Sequence, residues 1–301
     1  MNKLLLTGAE GQLGKTFRGH FPSSGLFEKY ALISADVKEM DLTKKSSISG
    51  FLETHVPSLI INCGAFTSVD AAETEVEVAT KINDVAVAYI TEWASKNSCR
   101  VIHISTDFVF DGEKKGPYLP ADEPNPLGVY GQTKLAGESH LLKYLPSHGV
   151  VLRTSWLYSE FGHNFVKTMI ELMKRKKELG VVEDQMGSPT SAHSLVRLLF
   201  RLIECDTCGG VIHWCDGATM SWYEFALEIQ RQALKCGLLA REIPIKPLTT
   251  EEYPTPAVRP SYSALHRGTA LEKLGLEETN WQAELKAVVL QIKALNEVSD
   301  E

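Results

Sequence analysis

The stretch Lys3-Leu-Leu-Leu-Thr7-Gly8-Ala-Glu-Gly11-Gln-Leu-Gly14 decides the fold of this chain. Its apolar start predicts a short buried strand, and its glycines predict a tight turn that opens a helix over residues 12–20. Glycines in such a turn let backbone amides approach a pyrophosphate at the positive end of the helix. The spacing is G-x-x-G-x-x-G rather than G-x-G-x-x-G, so a purely structural strand–helix turn is the alternative. The candidate cofactor-binding residues here are Gly8, Gly11, Gln12, Leu13 and Gly14.

Short apolar runs alternate with longer amphipathic segments through the first two-thirds of the chain. Further strands are predicted at residues 31–35, 58–63, 100–105 and 149–154, and helices at 46–55, 76–96 and 131–144. Strands with little polar alternation, joined by helical crossovers, indicate a parallel sheet covered on both faces. We therefore predict a doubly wound, Rossmann-like α/β fold, in which ligands bind beyond the carboxyl ends of the strands.

The pattern changes after about Trp156 and predicts a smaller α/β substrate domain. Residues 1–157 with about 191–219 are expected to form the dinucleotide-binding domain, and 158–190 with 220–301 the substrate-binding domain. Ser221 and Glu224 form a capping-box pattern at the start of a helix over 222–235. The other predicted elements are helices at 165–177 and 191–204, strands at 178–182 and 210–215, a turn-rich loop at 184–190, an extended proline-rich loop at 243–260 and a last helix from near Trp281.

Composition indicates an ordinary globular protein. The 301 residues are 44% hydrophobic and 23% charged, and the net charge of -7 argues against a nucleic-acid surface. No apolar run is long enough to cross a bilayer and no cleavable signal is recognised, so we expect a cytoplasmic protein without membrane contact. Six irregularly spaced cysteines do not suggest a secreted disulfide framework. A zinc site at Cys205, Cys208, His213 and Cys215 is a weaker alternative, because residues 211–215 have the pattern of a buried strand.

Polar and small residues follow the second and third strands. Asp36 could accept hydrogen bonds from an adenosine ribose and would repel a 2′-phosphate, which favours NADH over NADPH. An ordinary turn aspartate is the alternative. Asp41 and Leu42 follow where an adenine edge could be bound, although Asp41 could also cap a helix. After the third strand, small residues let the backbone lie close to a cofactor at Cys63, Gly64 and Ala65.

Thr106, Tyr130 and Lys134 are the candidate catalytic residues. In a helix, residues four apart share a face, so the Lys134 ammonium is expected near the Tyr130 phenol and should lower its pKa from about 10. Such a phenol can exchange a proton with a sugar or alcohol oxygen. Thr106 ends the fourth strand and can bond the same oxygen. A glycine turn, a strand-end hydroxyl and Tyr-x-x-x-Lys in this order indicate a nicotinamide-dependent oxidoreductase.

The chain resembles the extended short-chain dehydrogenase/reductases over nearly its whole length, and within them the branch that reduces dTDP-activated keto-sugars. The motifs that carry the resemblance are Gly8–Gly14, Asn62–Asp70, Ser105–Phe110, Tyr130–Lys134, Arg153–Tyr158, Gly162–Phe165, Val182–Thr190 and Arg259–Ser263. The resemblance implies reduction of the C4 ketone of dTDP-4-dehydro-L-rhamnose with NADPH or NADH. It also implies a homodimer and a Mg²⁺ ion whose ligands the sequence does not place.

Further site residues are implied by this resemblance alone. Asn83 would support the proton relay. The substrate-binding residues would be Thr67, Val69, Thr106, Asp107, Phe108, Trp156, Asn164 and Arg259. An arginine between prolines suits a diphosphate, because its planar fork pairs with two phosphate oxygens. Phe108 departs from the family, which usually has tyrosine there, and lacks a hydroxyl that could bond sugar or phosphate.

Two alternative functions follow from the same residues. Phe108 keeps open a reductase or epimerase that acts on another nucleotide-activated deoxysugar. A non-catalytic regulatory subunit is the other, since the beta subunit of methionine adenosyltransferase resembles the same family. The complete set of Thr106, Tyr130 and Lys134 favours an enzyme.

Overall fold

A computed structural model describes residues 1–299 and has a six-stranded parallel sheet at its centre. The strand order is β10-β5-β4-β3-β1-β2, with two-stranded pairs β11-β8, β12-β7 and β6-β9 beside it. The strands are β1 (Asn2–Thr7), β2 (Tyr30–Ala35), β3 (Leu59–Asn62), β4 (Arg100–Thr106), β5 (Val150–Thr154), β6 (Leu157–Tyr158), β7 (Leu179–Val182), β8 (Met186–Gly187), β9 (Thr190–Ser191), β10 (Gly210–Trp214), β11 (Met220–Ser221) and β12 (Ile245–Leu248). The predicted doubly wound α/β fold is confirmed.

Helices cover both faces of the sheet because most central strand residues are apolar on both sides. The helices are α1 (Gln12–His20), α2 (Lys45–His55), α3 (Val69–Ala72), α4 (Val76–Thr80), α5 (Ala86–Lys96), α6 (Val129–Tyr144), α7 (Phe165–Arg175), α8 (Ala192–Glu204), α9 (Trp222–Lys235), α10 (Gly268–Leu274) and α11 (Trp281–Ser299). Apolar residues of α1, α8 and α10 pack on one face, and those of α2, α5 and α6 on the other. The carboxyl ends of all six strands therefore meet at one edge.

A separate apolar core lies among α7, α9 and α11. It is built around Phe225 and includes Tyr158, Ile170 and Val289, all buried. The division of the chain into a cofactor domain and a substrate domain remains a proposal. Helix α10, although it falls in the expected substrate domain, packs through Ala270 and Leu274 on the same core as α1 and α8.

Three local predictions differ from the structure. The turn-rich loop expected at 184–190 contains β8 and the first residue of β9. The proline-rich loop contains β12, which pairs in parallel with β7 although Pro247 lies within it. A proline lacks a backbone N–H and is therefore tolerated on an edge strand but not on a central one. The sequence around Pro247 has no central-strand pattern, so this strand was not predicted. The long helix expected at 76–96 is α4 and α5 joined by a π-helical turn, Lys81–Val85.

The cysteines near β10 form a disulfide rather than a zinc site. Cys205 and Cys208 are bonded to each other, a pairing that was not predicted from the sequence. They therefore offer no thiolates to a metal. His213 lies within β10, where its Nδ1 is 3.0 Å from the Tyr118 carbonyl oxygen. Within residues 1–299, no cluster of three or more His, Cys, Asp or Glu side chains has the arrangement of a metal site.

A buried ion pair fixes α6 to the sheet. Arg153 on β5 donates to both carboxylate oxygens of Glu138 on α6, with Nη2 2.6 Å from Oε2, and both side chains are at most 3% exposed. The Ser105 hydroxyl on β4 also donates to Glu138. Because the pair is bidentate and further bonded, its geometry is strongly determined. It holds the helix that carries Tyr130 and Lys134.

No helix in the described part of the chain has both the length and the apolar character needed to span a bilayer.

Candidate active site

The glycine turn lies between β1 and α1 with its backbone tightly packed. Gly8 has a φ of +61°, and a Cβ there would lie 2.8 Å from the Gly64 backbone nitrogen. A Cβ at Gly14 would lie 2.3 Å from the Gly8 carbonyl oxygen. Gly11 caps α1, whose first backbone N–H groups have no partner within the helix. The turn therefore presents bare backbone at a helix N-terminus, as a pyrophosphate requires.

Asp36 lies directly against this turn. Its Oδ2 accepts a hydrogen bond of 2.8 Å from the Glu10 backbone N–H, and its Oδ1 accepts one from the Val37 N–H. The carboxylate thus organises the turn as well as carrying charge at the end of β2. Both the ribose-binding prediction and the turn-aspartate alternative fit this placement.

Asp41 and Leu42 occupy the loop before α2. Asp41 accepts from the Thr43 backbone N–H and lies 2.8 Å from Lys44 Nζ, and these contacts lower its pKa to about 2. It is not the cap of α2, which is Lys44. The Leu42 side chain packs where a Cβ of Gly64 would lie. Leu42 and Gly64 are therefore neighbours, as a shared cofactor-binding surface requires.

Tyr130 and Lys134 lie one helical turn apart at the start of α6, but their electrostatics differ from the prediction. Burial raises the pKa of Tyr130 to about 12, opposed by a hydrogen bond with Thr106 and reinforced by the charge of Asp107. Lys134 Nζ instead donates to the Ile104 carbonyl oxygen at 2.7 Å. The expected lowering of the Tyr130 pKa is wrong for this structure, because desolvation of the buried phenol dominates and Lys134 donates to Ile104 instead.

Thr106 and Asp107 form the wall beside Tyr130. The Thr106 hydroxyl donates to Asp107 Oδ1 at 3.1 Å and accepts from the Phe108 backbone N–H. Burial raises the pKa of Asp107 to about 6 despite its bonds to Ser263 and Thr106. The strand-end hydroxyl, the phenol and a carboxyl are therefore brought together, as the position of Thr106 at the end of β4 indicated.

Asn83 lies in the π-helical turn and is fully buried. Its Oδ1 accepts from the Phe66 backbone N–H at 2.8 Å, and its Nδ2 donates to the Phe66 carbonyl and to Thr133 Oγ1. π-Helical turns are frequent at functional sites. Here the turn positions an amide that ties the loop after β3 to α6. Its part in a proton relay stays a prediction.

An aromatic pocket adjoins Tyr130. The Phe108 and Tyr130 ring centroids are 5.7 Å apart in an edge-to-face arrangement, so Phe108 belongs to both the catalytic wall and the pocket. Aromatic faces and an arginine dominate its lining. The lining residues are Phe108, Trp156, Gln185, Met186, Trp222, Arg259, Pro260 and Ser263.

Trp156 and Trp222 form a stacked pair in this pocket, with centroids 3.5 Å apart. Trp156 has a φ of +45°, which is unusual for a bulky residue, and Gly187 makes room for its indole. From the sequence, Trp222 is identified only as the start of a helix. The sequence feature that could have indicated its place is its position directly after Ser221, the residue that caps α9.

Arg259 reaches the pocket from the proline-rich loop and is held by Asp70. Its Nη2 lies 2.8 Å from Asp70 Oδ2, and the other carboxylate oxygen accepts from the Ala257 backbone N–H. The Asp70 pair thus links the segment after β3 to residues near the carboxyl end of the chain. Asp70 was part of a quoted motif but was not predicted as a site residue.

The remaining predicted substrate residues lie outside this pocket lining. Thr67 is exposed in the loop before α3, and Val69 begins that helix. Asn164 caps α7, and its Nδ2 donates to Gln12 Oε1 at 2.8 Å, so it lies beside the glycine turn rather than with Trp156 and Arg259. Their contacts with substrate stay predictions.

The glycine turn, Asp36 and the Thr106–Tyr130–Lys134 group all lie at the carboxyl edge of one parallel sheet. This fold and site define a nicotinamide-dependent oxidoreductase of the short-chain dehydrogenase/reductase class.

Comparison with known proteins gives the family. The family described as the RmlD substrate binding domain matches residues 1–294, and the chain belongs to it. A dTDP-4-dehydrorhamnose reductase of Aggregatibacter actinomycetemcomitans is 39% identical over 293 residues, which cover 96% of this chain and 98% of that protein.

Two solved structures resemble the chain over nearly its full length. The crystal structure of a dTDP-4-dehydrorhamnose reductase from Clostridium acetobutylicum has a TM-score of 0.88 and 38% identity, covering 97% of this chain and 99% of that one. The enzyme of the same name from Bacillus anthracis, solved in complex with NADP, has a TM-score of 0.88 and 33% identity, covering 97% and 100%.

Proposed function

We propose that this protein reduces the C4 ketone of dTDP-4-dehydro-L-rhamnose with NADPH or NADH, giving dTDP-L-rhamnose. The observation that carries the proposal is the contact between Phe108 and Tyr130. It joins the proton-transfer group to a pocket that holds stacked tryptophans and Arg259. The names of the relatives support the substrate class. Assembly into a homodimer stays a prediction, and no observation supports the Mg²⁺ ion.

The residues present fit a nicotinamide dinucleotide. The glycines at 8, 11 and 14 contribute no side chains to the turn before α1, and the Asp36 carboxylate lies beside it. Lys134 would hold the cofactor ribose, and Gly64 would let the backbone approach. When bound, the nicotinamide supplies the hydride.

Tyr130 supplies the proton in this proposal. With a pKa raised to about 12, the buried phenol keeps its proton at neutral pH, as an acid in the reductive direction must. Its proton goes to the oxygen that was the C4 carbonyl, leaving a hydroxyl. Thr106, bonded to Asp107, orients that oxygen. Arg259, held by Asp70, would pair with the diphosphate, and the two tryptophans would exclude water.

Asp36 should set the preference between the two cofactors. Its charge favours a ribose hydroxyl over a 2′-phosphate, so Asp36→Asn is expected to raise the NADPH-to-NADH ratio of kcat/KM about tenfold. Steady-state rates with both cofactors would measure this. Because Asn keeps an oxygen that can accept the Glu10 N–H, loss of activity with both cofactors would instead indicate a purely structural role.

Trp222 should stabilise substrate binding through its stack with Trp156. Trp222→Ala is expected to raise KM for the dTDP-sugar up to about tenfold, because an aromatic pair contributes about 0.5–1.5 kcal/mol beyond burial. Trp222→Phe, which keeps a stacking face, is the matched control and should stay near the parent. A fall in kcat with unchanged KM would contradict this role.

A second candidate substrate is another nucleotide-activated deoxysugar, and Phe108 is the observation that favours it. Phe108 lines the pocket beside Tyr130 without a hydroxyl. Absorbance of NAD(P)H across dTDP-, UDP- and GDP-linked 4-keto sugars separates the candidates. The dTDP-4-dehydro-L-rhamnose reaction should be the fastest. No oxidation with any of them, together with a stable protein complex, would support the regulatory-subunit alternative.

A further inference from the structure

The first turn of α6 carries Tyr130 but has no cap of its own. Tyr130 is the second residue of this helix, and the N-cap residue is Gly128, which makes no side-chain hydrogen bond to the turn. The opening N–H groups of a helix have no partner within it, so an uncapped turn is less firmly held. The placement of Tyr130 therefore depends on residues outside α6.

Glu73 supplies the missing cap from another part of the chain. The Val129 backbone N–H donates to Glu73 Oε1 at 2.9 Å. Glu73 directly follows α3 and is half-buried. A carboxylate is well suited to this place, because the N-terminus of a helix has a partial positive charge. Glu73 thus satisfies one of the free donors in the turn that carries Tyr130.

Gly128 leaves the space that the Glu73 carboxylate occupies. The backbone at Gly128, with φ of -130° and ψ of 171°, is extended and open to any residue. Its conformation therefore does not require glycine. A Cβ at this position, however, would lie 2.6 Å from Glu73 Oε1. The bare N-cap and the carboxylate that replaces it are therefore matched to each other.

Glu73 is itself held in place through α3. Three residues earlier, Asp70 Oδ1 accepts from the Ala257 backbone N–H and Asp70 Oδ2 lies 2.8 Å from Arg259 Nη2. Ala72, between the two acidic residues, is completely buried. The short helix is thus anchored to the proline-rich loop on one side while Glu73 reaches α6 on the other.

The opposite side of the turn leaves little room for a shift. A Cβ at Gly131 would lie 2.2 Å from the carbonyl oxygen of Phe108, which follows the strand that ends in Thr106. Any movement of this turn therefore changes the position of Tyr130 relative to Thr106. We propose that Glu73 is a positioning residue that fixes Tyr130 by capping α6 from outside, through the gap at Gly128. The effect on catalysis rests on the proposed function, in which Tyr130 donates the proton.

Glu73→Ala should lower kcat for keto-sugar reduction about tenfold, because small displacements of a reacting group are costly. KM for the sugar and the cofactor Kd should stay close to the parent values, since Glu73 contacts neither the glycine turn nor the aromatic pocket. Glu73→Gln keeps an oxygen that can accept from Val129, so its kcat should stay within about threefold of the parent. Glu75→Ala removes an exposed carboxylate two residues along and should leave kcat unchanged.

Substitution of Gly128 tests the arrangement without altering Glu73. Gly128→Ala places a methyl group where the carboxylate lies and should lower kcat as Glu73→Ala does. The double variant should be no worse than either single variant, because both remove the same contact. Gly128→Ser in the Glu73→Ala protein gives α6 a capping hydroxyl of its own and should recover most of the lost kcat. Additive losses in the double alanine variant would overturn the proposal.

Amide hydrogen exchange tests the positioning without any substrate. In the cofactor-free protein, mass spectrometry should show faster exchange over residues 129–133 in Glu73→Ala and Gly128→Ala than in the parent and Glu75→Ala. Circular dichroism should show that all four are folded. Unchanged exchange, or faster exchange with unchanged kcat, would refute the positioning role. Absence of turnover in the parent would refute the proposed function instead, while the exchange rates would still decide whether Glu73 holds this turn.

Discussion

Tyr130→Phe is expected to lower kcat for keto-sugar reduction by about 100- to 10,000-fold, the range that a positioned general acid contributes. The substitution removes one oxygen and keeps the ring that packs edge-to-face on Phe108. The phenol is buried and its pKa is raised to about 12, so it carries the proton that reduction requires at neutral pH. Steady-state measurement of NAD(P)H absorbance at saturating substrate gives kcat.

Binding and chemistry can be separated in the same experiment. The Tyr130→Phe protein should bind cofactor with a Kd close to that of the parent, measured by fluorescence titration, because the glycine turn is untouched. Thr106→Val is the matched comparison, since it removes the orienting hydroxyl and keeps the acid; its kcat should fall less. Turnover of Tyr130→Phe within a factor of two or three of the parent would refute Tyr130 as the proton donor.

Arg153→Met should lower the free energy of unfolding by about 3–5 kcal/mol, the largest loss of stability among the substitutions proposed for this protein. The substitution leaves Glu138 buried without its bidentate partner, and desolvation of a lone carboxylate outweighs the apolar contacts that methionine adds. Urea denaturation followed by circular dichroism measures the loss. Because Glu138 lies on the helix of Tyr130 and Lys134, kcat should fall as well.

The exposed pair Arg175–Glu171 provides the control for this stability prediction. The Arg175 side chain is 77% exposed, so Arg175→Met should change the free energy of unfolding by less than about 1 kcal/mol. The double variant Glu138→Gln/Arg153→Met should recover part of the loss, because no unpaired charge is left. Equal effects of Arg153→Met and Arg175→Met would contradict a stabilising role of the buried pair.

Local sequence patterns were enough to predict the fold and to indicate which residues meet at the candidate active site. The turn at Gly8–Gly14 fixes a strand–helix crossover, and four-residue spacing places Tyr130 and Lys134 on one helix. Strand ends in a parallel sheet meet at one edge, which brought Thr106 to the same place. These predictions depend only on residues close together in sequence and on the rule that the carboxyl ends of parallel strands meet at one edge of the sheet.

The sign of the Tyr130 pKa shift could not be predicted in this way. Spacing shows that Lys134 lies near Tyr130, but not that the phenol is buried or that the lysine amine donates to the Ile104 carbonyl oxygen. Asp70 and Trp222 were missed for a related reason. The partner of Asp70 is Arg259, which is 189 residues away in sequence, and no periodicity connects them.

The Asp70–Arg259 pair has a consequence for how the protein is made. The residues proposed for proton transfer lie in the first 134 positions, while Arg259, which lines the adjoining pocket, is synthesised about 125 residues later. A nascent chain released before that point carries the chemical groups but lacks this clamp across the site. The groups proposed for proton transfer are therefore synthesised well before the arginine proposed for diphosphate recognition.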